Sequence, residues 1–278
     1  MNIFDSLIVY PIINILLLCY QIVSSLQLPY ALGFSIILLT IVIRLILYPL
    51  TGAQLKATKK MQDLNPHIKN LKTKHKGDAK TLQAETMRLY KEHGVNPAAG
   101  CLPVLIQLPV IWGLYTVLIK IVNLGANTVS EVNKIAYFDF LKISQIWDTN
   151  FFGLPLGQNP QQLLSTLGPL IILIPLATGA FQFVQSKMMI PSVNKEDKKL
   201  SDAKSASGGK KETDFATAFQ QQSLYIFPFM IAFFSWGFPV GLSLYWNTFT
   251  IFGIIQQYKV SGLGGVSEWM NKINGKKN

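Results

Sequence analysis

The 278-residue sequence predicts an all-α, polytopic membrane protein with a five-span core, a cytoplasmic antiparallel helical hairpin and an N-terminal interfacial helix. Two observations carry this prediction. Half of the residues are hydrophobic, and they are concentrated in long stretches that are nearly free of charge. The 25 lysines and arginines outnumber 14 acidic residues and are crowded into a few blocks instead. Apolar stretches that alternate with basic segments are typical of helical membrane proteins.

The N-terminal segment, 1–30, is predicted to be an amphipathic helix in the outer membrane interface. At about 100° per residue its apolar and polar side chains fall on opposite sides. The apolar side holds Phe4, Ile8, Pro11, Ile12, Ile15, Cys19, Ile22 and Leu26, and the polar side holds Asn2, Ser6, Asn14, Gln21, Ser24 and Ser25. Because the stretch is long and almost uncharged, a sixth span that places Met1 inside is the alternative.

Five later stretches are long and apolar enough to cross about 30 Å of hydrocarbon. They are 31–53, 98–119, 166–186, 223–239 and 242–258. Only the turn from Gly237 to Gly241 separates the last two, so these spans should be antiparallel neighbours. Prolines are expected to kink four of the spans, since each removes a backbone donor. These prolines are Pro49, Pro103, Pro109, Pro169, Pro175 and Pro228.

The connecting segments predict the orientation, because short loops rich in Lys and Arg stay in the cytoplasm. Segment 54–97 holds ten such residues, segment 187–222 holds seven and the tail 259–278 holds four. The loop 120–165 holds three, balanced by three acidic residues, and is therefore predicted to be external. The N-terminus is then outside and the C-terminus is cytoplasmic.

The two long cytoplasmic segments differ in character. Segment 54–97 has Met61, Leu64, Ile68 and Leu71 at 3-4-3 spacing before a break near Gly77, which is typical of a helical hairpin. We expect that hairpin to serve as a docking site. Segment 187–222 is polar and low in complexity, and is predicted to be a flexible loop.

Arg44 is the most informative residue, since it lies within about two positions of the centre of the first span. On insertion scales, an arginine at the centre of a span costs about 3 kcal/mol of insertion free energy. To reach the lipid headgroups instead, its side chain would have to extend about 10 Å. No acidic residue lies in the five spans to pair with it. We therefore expect a hydrated, protein-lined recess around Arg44, with such a snorkelling side chain as the alternative.

Other polar residues in the spans are candidates to line this recess. They are Thr40, Gln107, Gln182, Gln185, Ser243, Asn247, Thr248 and Gln256. Taken singly, each is more typical of a hydrogen bond between helices. The unpaired cation is what favours a common polar groove.

The residue types present in the spans argue against an enzyme and against a bound cofactor. His67, His75 and His93 all lie in the segment 54–97, so no span carries a Ser–His pair, and none carries a pair of aspartates. No phosphate-binding loop of the Walker type occurs. Cys19 and Cys101 are predicted on opposite sides of the membrane and lack metal-ligand spacing, so neither a disulfide nor a metal site is expected.

In four segments, TIVIRLILYPLT, CLPVLIQLPVIW, FPVGLSLYW and IIQQ, the sequence resembles the YidC membrane protein insertases. TIVIRLILYPLT (40–51) is similar to the first core span with its groove arginine, and CLPVLIQLPVIW (101–112), after Val95-Asn96-Pro97, is similar to the second. FPVGLSLYW (238–246) resembles the last hairpin and IIQQ (254–257) its exit. The resemblance covers about residues 30–260, with the hairpin between the first two spans.

This resemblance implies a groove that is open to cytoplasm and lipid but closed outside, with Arg44 as its cation and Thr40 and Gln107 as polar lining. It also implies an apolar slide that contacts the client, made of Leu108, Pro109, Ile111, Tyr245 and Trp246. The chain departs from larger members of the family because it shows no large external domain before residue 30. Its second cytoplasmic loop is unusually long, and Trp246 stands where a second tyrosine is common.

The function predicted from the sequence is insertion of client transmembrane segments without nucleotide hydrolysis. Expected partners are nascent membrane proteins, the lipid bilayer, and the ribosome and signal recognition particle pathway through the hairpin and the basic tail, with a Sec translocon as a further candidate. The absence of an Arg- and Ser-rich leader favours a bacterial plasma membrane over an organelle. The alternatives are a small-solute transporter or channel that binds anions at Arg44, and a purely structural assembly partner.

Overall fold

A computed structural model describes residues 3, 5–75, 77–96, 102–116, 118–119, 127–190, 215–267 and 269. Cys101, the end of the predicted hairpin at Pro97, the centre of the predicted flexible loop (191–214) and the end of the basic tail (270–278) lie outside these residues. The chain divides into two compact units. The first comprises Met1–Tyr48, Leu102–Gln182 and Phe229–Phe252, and the second Pro49–Cys101, Phe183–Pro228 and Gly253–Asn278.

The described part of the chain is mostly helical, as the sequence predicted. A π-helical turn, Asp5–Val9, leads into the first helix. The helices in chain order are α1 (Tyr10–Ser25), α2 (Ala31–Ile46), α3 (Tyr48–Asp63), α4 (Asn65–Lys74), α5 (Ala79–Glu92), α6 (Leu102–Thr116), α7 (Thr128–Ile135), α8 (Pro160–Leu167), α9 (Leu173–Met188), α10 (Phe215–Gly237) and α11 (Val240–Ser261). Two short antiparallel strands, β1 (Asn150–Phe151) and β2 (Leu154–Pro155), form a small hairpin between α7 and α8.

The helices differ in length from the predicted spans. Among the described residues, the stretches Asp5–Ser25 and Pro169–Met188 are long and apolar enough to cross a membrane, and α2 with α3 would add a third if taken as one. The predicted single span 31–53 is interrupted at Leu47, where α2 ends. Pro49 follows as the second residue of α3.

The prolines fall into two groups. Pro109 and Pro228 lie inside α6 and α10, where a missing backbone donor bends a helix. Pro49, Pro103, Pro169 and Pro175 lie within the first three residues of a helix or of the 3-10 turn Pro169–Ile172. The kink expected at Pro49 is confirmed, since α2 and α3 are bent by 63° at the break just before it. Pro169 opens its turn, where the first N–H groups of a helix have no intrahelical partner to lose.

The first unit is built around α1, which packs against α2 and α6 and against the segment from α7 to a 3-10 turn at Asp139–Leu141. The buried core of this unit draws on all of these elements. It includes Ile13, Leu16, Leu17, Leu32, Ile36, Leu39, Leu114, Leu118, Leu156, Leu163, Leu242 and Tyr245, each 2 % exposed or less.

The assignment of Asn14 to the polar, outward side of α1 is wrong, because this residue is only 6 % exposed. The Asn14 amide donates to the carbonyls of Tyr10 (2.8 Å) and Ile135 (3.1 Å) and accepts from the Tyr137 N–H (2.7 Å). Asn14 therefore faces the protein, where it satisfies backbone groups at Ile135 and Tyr137.

The end of the α10–α11 hairpin is held by the preceding loop. Only Phe238 and Pro239 separate the two helices. The N–H groups of Val240 and Gly241 donate to the carbonyls of Gln158 (2.8 Å) and Leu156 (2.9 Å). A Cβ on Gly241 would lie 3.2 Å from the Leu156 carbonyl oxygen, so glycine permits this close approach.

In the second unit, α4 and α5 pack against each other and are joined by a short turn. Gly77 there has a φ of 91°, and the Asp78 side chain caps α5 by accepting from the Thr81 N–H at 3.0 Å. Hydrogen bonds from Thr81 hold the pKa of Asp78 below its usual value. After α11 the chain folds back, so that the Gly265 N–H donates to the Ile190 carbonyl and Trp269 stacks on Phe183, with 5.6 Å between ring centroids.

Candidate functional site

Arg44 lies in the last turn of α2 and is only 5 % exposed. One terminal nitrogen, Nη2, donates to the Phe249 carbonyl of α11 at 2.5 Å. The guanidinium carbon lies 3.4 Å from the centroid of the Phe249 ring and 5.9 Å from that of Phe252. The Nε atom is buried without a hydrogen-bond partner. The side chain is thus turned into the protein, as predicted, rather than extended along the helix.

The groups that surround Arg44 are neutral. Among the described residues, no carboxylate lies within 4 Å of its nitrogens. A carbonyl oxygen and an aromatic face both attract a cation, but neither cancels its charge. The site therefore keeps a net positive charge at low exposure, an arrangement that a carboxylate would stabilise further.

A second polar contact ties α6 to the same face of α11. Gln107, 8 % exposed, donates through its amide to the hydroxyl of Tyr245, which is fully buried. The Tyr245 ring in turn lies 5.9 Å from that of Phe249, one helical turn further along. Arg44, Gln107, Tyr245 and Phe249 thus form one contact chain from α2 through α11 to α6.

The other predicted lining residues have different partners. Thr40 is fully buried and donates to the carbonyl of Ile36 in its own helix at 2.6 Å. Gln182 accepts from the Trp246 indole at 3.1 Å, which joins α9 to α11. Gln185 is half-buried in the second unit.

Asn247 lies on α11 two residues after Tyr245, so at about 100° per residue it points about 200° away from that ring. It therefore does not share the face of Arg44, and its Oδ1 atom is buried without a partner. The remaining polar candidates bond elsewhere too. Ser243 bonds Ser235 at 2.8 Å, Thr248 donates to the Leu244 carbonyl, and Gln256 bonds Thr51.

The residues of the implied apolar slide are divided by their exposure. Leu108 is 56 % exposed on α6, and Trp112, one turn later on the same face, is also 56 % exposed. Pro109, Ile111 and Trp246 are half-buried. Tyr245 is fully buried, so it cannot contact a client while its hydroxyl is bonded to Gln107.

Comparisons with known proteins place the chain. The model of the family described as 60Kd inner membrane protein matches residues 23–263, most of the chain. The chain belongs to the YidC family. It is 32 % identical to the membrane protein insertase YidC of Fusobacterium nucleatum, over 84 % of this chain and 87 % of that protein. It is 31 % identical to the membrane protein insertase MisCA of Bacillus subtilis, over 93 % and 79 % respectively.

Other members of the YidC family are longer. The chain is 33 % identical to the chloroplast inner membrane protein ALBINO3 of Arabidopsis thaliana, of which it spans half the length. A crystal structure of an active YidC insertase, with its first transmembrane domain resolved, shares the fold with a TM-score of 0.54 at 23 % identity. That match covers 94 % of this chain and 47 % of the other.

Two contributors to the site in this YidC-family chain were missed from the sequence. Phe249 was not singled out because a phenylalanine in a span is typical of apolar packing, and a backbone acceptor leaves no signal in the sequence. Trp112 was noted only within a motif. Its spacing of four residues from Leu108 could have predicted that the two share a face.

Proposed function

We propose that this protein inserts client transmembrane segments into a bacterial plasma membrane without nucleotide hydrolysis. The observation that carries the proposal is Arg44, a buried guanidinium whose described contacts are a carbonyl and aromatic rings. A cation in that position can attract an acidic residue of a client segment. Relatives that bear the name membrane protein insertase support the proposal, as does the sequence, which contains no Walker loop.

In the proposed mechanism, a groove open to cytoplasm and lipid admits the polar end of the client part-way into the membrane. Arg44 is its cation, and Thr40, Gln107 and Gln182 are the proposed polar lining. At an effective dielectric of about 20, two opposite charges 4 Å apart attract by about 4 kcal/mol. This is comparable to the cost of about 3 kcal/mol for a carboxylate at the centre of a span. The client span then enters lipid because it is itself hydrophobic.

The exit path of the client is proposed to run along the slide formed by Leu108, Pro109, Ile111, Tyr245 and Trp246. The exposed pair Leu108 and Trp112 on α6 supports an apolar contact surface. Tyr245 can join this surface only when the Gln107 hydrogen bond opens. We therefore propose that α6 and α11 separate locally as the client passes.

The proposed topology places the N-terminus outside, the C-terminus in the cytoplasm and α1 in the outer interface. The contacts of α1 with the loop that follows α7 support this topology. Gln21 bonds the Lys142 carbonyl at 3.1 Å and Tyr20 contacts Trp147, so the loop of the first unit runs alongside the helix. That loop carries the exposed ion pairs Lys134–Glu131 and Lys142–Asp139. Charged pairs of this kind favour the headgroup region over hydrocarbon.

The cytoplasmic hairpin and the basic tail are proposed to receive the ribosome or the signal recognition particle pathway, with a Sec translocon as a further candidate partner. We expect replacement of residues 64–93 by a short Gly-Ser linker to lower insertion of ribosome-bound clients about tenfold, because the docking charges would be lost. Insertion into proteoliposomes measures this. The control is a client that has been released from the ribosome. Unchanged insertion of the ribosome-bound client would remove the hairpin from the mechanism.

The function itself is tested by photo-crosslinking to a stalled nascent membrane protein. A crosslinking amino acid at Leu108, 56 % exposed, is expected to give an adduct with the client span. The matched control is Leu114, six residues later on the same helix and fully buried, which should give none. Equal yields at the two positions, or uptake of a small anion by the purified protein without any adduct, would contradict an insertase and favour a transporter.

A further inference from the structure

Phe249 makes two separate contacts with Arg44. Its carbonyl accepts from Nη2 at 2.5 Å, and its ring covers the guanidinium at 3.4 Å. We propose that Phe249 is a gate residue, whose ring and carbonyl hold Arg44 in the resting protein and give way to a carboxylate of the entering client. The client part of this inference rests on the proposed function, whereas the resting contact does not.

The geometry of the guanidinium supports displacement rather than simple addition. A carboxylate binds an arginine side-on through Nε and one terminal nitrogen, forming two parallel hydrogen bonds. Nε of Arg44 is buried without a partner, while Nη2 is held by Phe249. Because Nε is buried, a client carboxylate can bind side-on only after the groups that cover the guanidinium, among them the Phe249 ring and carbonyl, have moved.

The ring of Phe249 gives the gate its selectivity. A neutral client segment offers Arg44 no charge to replace the aromatic face and the carbonyl, so the resting contact persists. An acidic segment offers a stronger interaction than either neutral group. The Phe249 ring has Tyr245 as its neighbour at 5.9 Å, so its displacement also disturbs the residue that Gln107 holds. Entry of the carboxylate and opening of the slide are then coupled.

The resting contact can be tested without any client, because the chain contains only two arginines, Arg44 and Arg88. The Arg88 side chain is 68 % exposed on α5 and serves as an internal reference. The whole protein is placed in lipid nanodiscs and treated with phenylglyoxal, which modifies accessible guanidinium groups. Peptide mass spectrometry then gives a separate rate for each arginine.

We expect Arg44 of the wild-type protein to react about tenfold or more slowly than Arg88. Phe249→Ala should raise the Arg44 rate about tenfold without changing that of Arg88. Phe249→Leu, which keeps most of the volume, should raise it as well, whereas Phe249→Tyr should not. Phe252→Ala, at 5.9 Å rather than 3.4 Å, should change it by less than about threefold.

Two results would overturn the gate: equal rates for the two arginines in the wild-type protein, or an Arg44 rate that Phe249→Ala and Phe249→Leu both leave unchanged. A second arm adds a synthetic client span with one Asp in its polar flank, or the same peptide with Asn. The Asp peptide alone should protect Arg44 in Phe249→Ala. If the resting rates behave as expected and neither peptide protects, the gate contact stands and the proposed function fails.

Discussion

Arg44→Glu is expected to abolish insertion of a client whose external segment carries an Asp or Glu. The substitution places a second carboxylate where the guanidinium now meets the Phe249 carbonyl and ring. An attraction of about 4 kcal/mol, estimated for a pair at 4 Å and a dielectric of about 20, becomes a repulsion of similar size. Insertion into proteoliposomes, followed by protease protection, measures the loss.

The neutral and conservative variants separate charge from structure. Arg44→Ala should lower insertion of the acidic client about tenfold or more, a loss smaller than the full pair energy because both charges are partly solvated. Arg44→Lys keeps the charge and should remain within a few-fold of wild type, although it loses the planar stacking on Phe249. The matched control is the same client with Asn for Asp. Normal insertion of the acidic client by Arg44→Ala would leave Arg44 a purely structural residue.

The buried cation could be predicted from the sequence, whereas its partners could not. A lone arginine near the centre of an apolar stretch, with no acidic residue in any span, dictates a side chain turned into the protein. Which groups meet it depends on how α2 and α11 face each other, and no sequence pattern specifies that rotation. The carbonyl of Phe249 is a backbone group, which every residue carries.

The polar lining shows the same limit. Asn247 was predicted to line the recess around Arg44 because it is a polar residue in a span, yet helix geometry places it about 200° from Tyr245 and from Phe249, the residue that contacts Arg44. The sequence spacing gives the angle between Asn247 and Tyr245 around the helix, but it does not say which side of the helix faces Arg44. Thr40 is one turn from Arg44, and its hydroxyl donates to its own helix backbone, a common local alternative for threonine that the spacing alone does not reveal.

The long apolar stretches predicted that the chain is mostly helical. The ends of the helices depend on local residues such as prolines, which the sequence analysis considered only as sources of kinks. Leu47, where α2 ends, has no breaker residue of its own; Pro49 disfavours helical geometry at the residue before it and is tolerated in the first turn of α3. Asn14 was misassigned because it was treated as a polar residue that faces water. It instead satisfies backbone groups of a loop more than 100 residues away in the sequence, which no local pattern predicts.

Asn14→Leu is expected to detach the loop that follows α7 from α1. The substitution keeps the size of the side chain but removes the donor to the Ile135 carbonyl and the acceptor for the Tyr137 N–H. Each of these two part-buried backbone groups left without a partner costs about 1–3 kcal/mol, so the free energy of opening the loop should fall by about 2–6 kcal/mol. Proteolysis through the opened loop should then be about thirtyfold faster or more.

Limited proteolysis in nanodiscs measures this rate, with cleavage sites located by mass spectrometry within 127–147. The matched control is Gln21→Leu, which removes a single amide-to-carbonyl bond from the same helix to the same loop, at Lys142. Because that bond is exposed and water can replace it, the rate should change by less than about threefold. Equal effects of the two substitutions would mean that burial of Asn14 contributes nothing to holding the loop. A large effect of Asn14→Leu alone would identify this side chain as the residue that fixes α1 to the first unit.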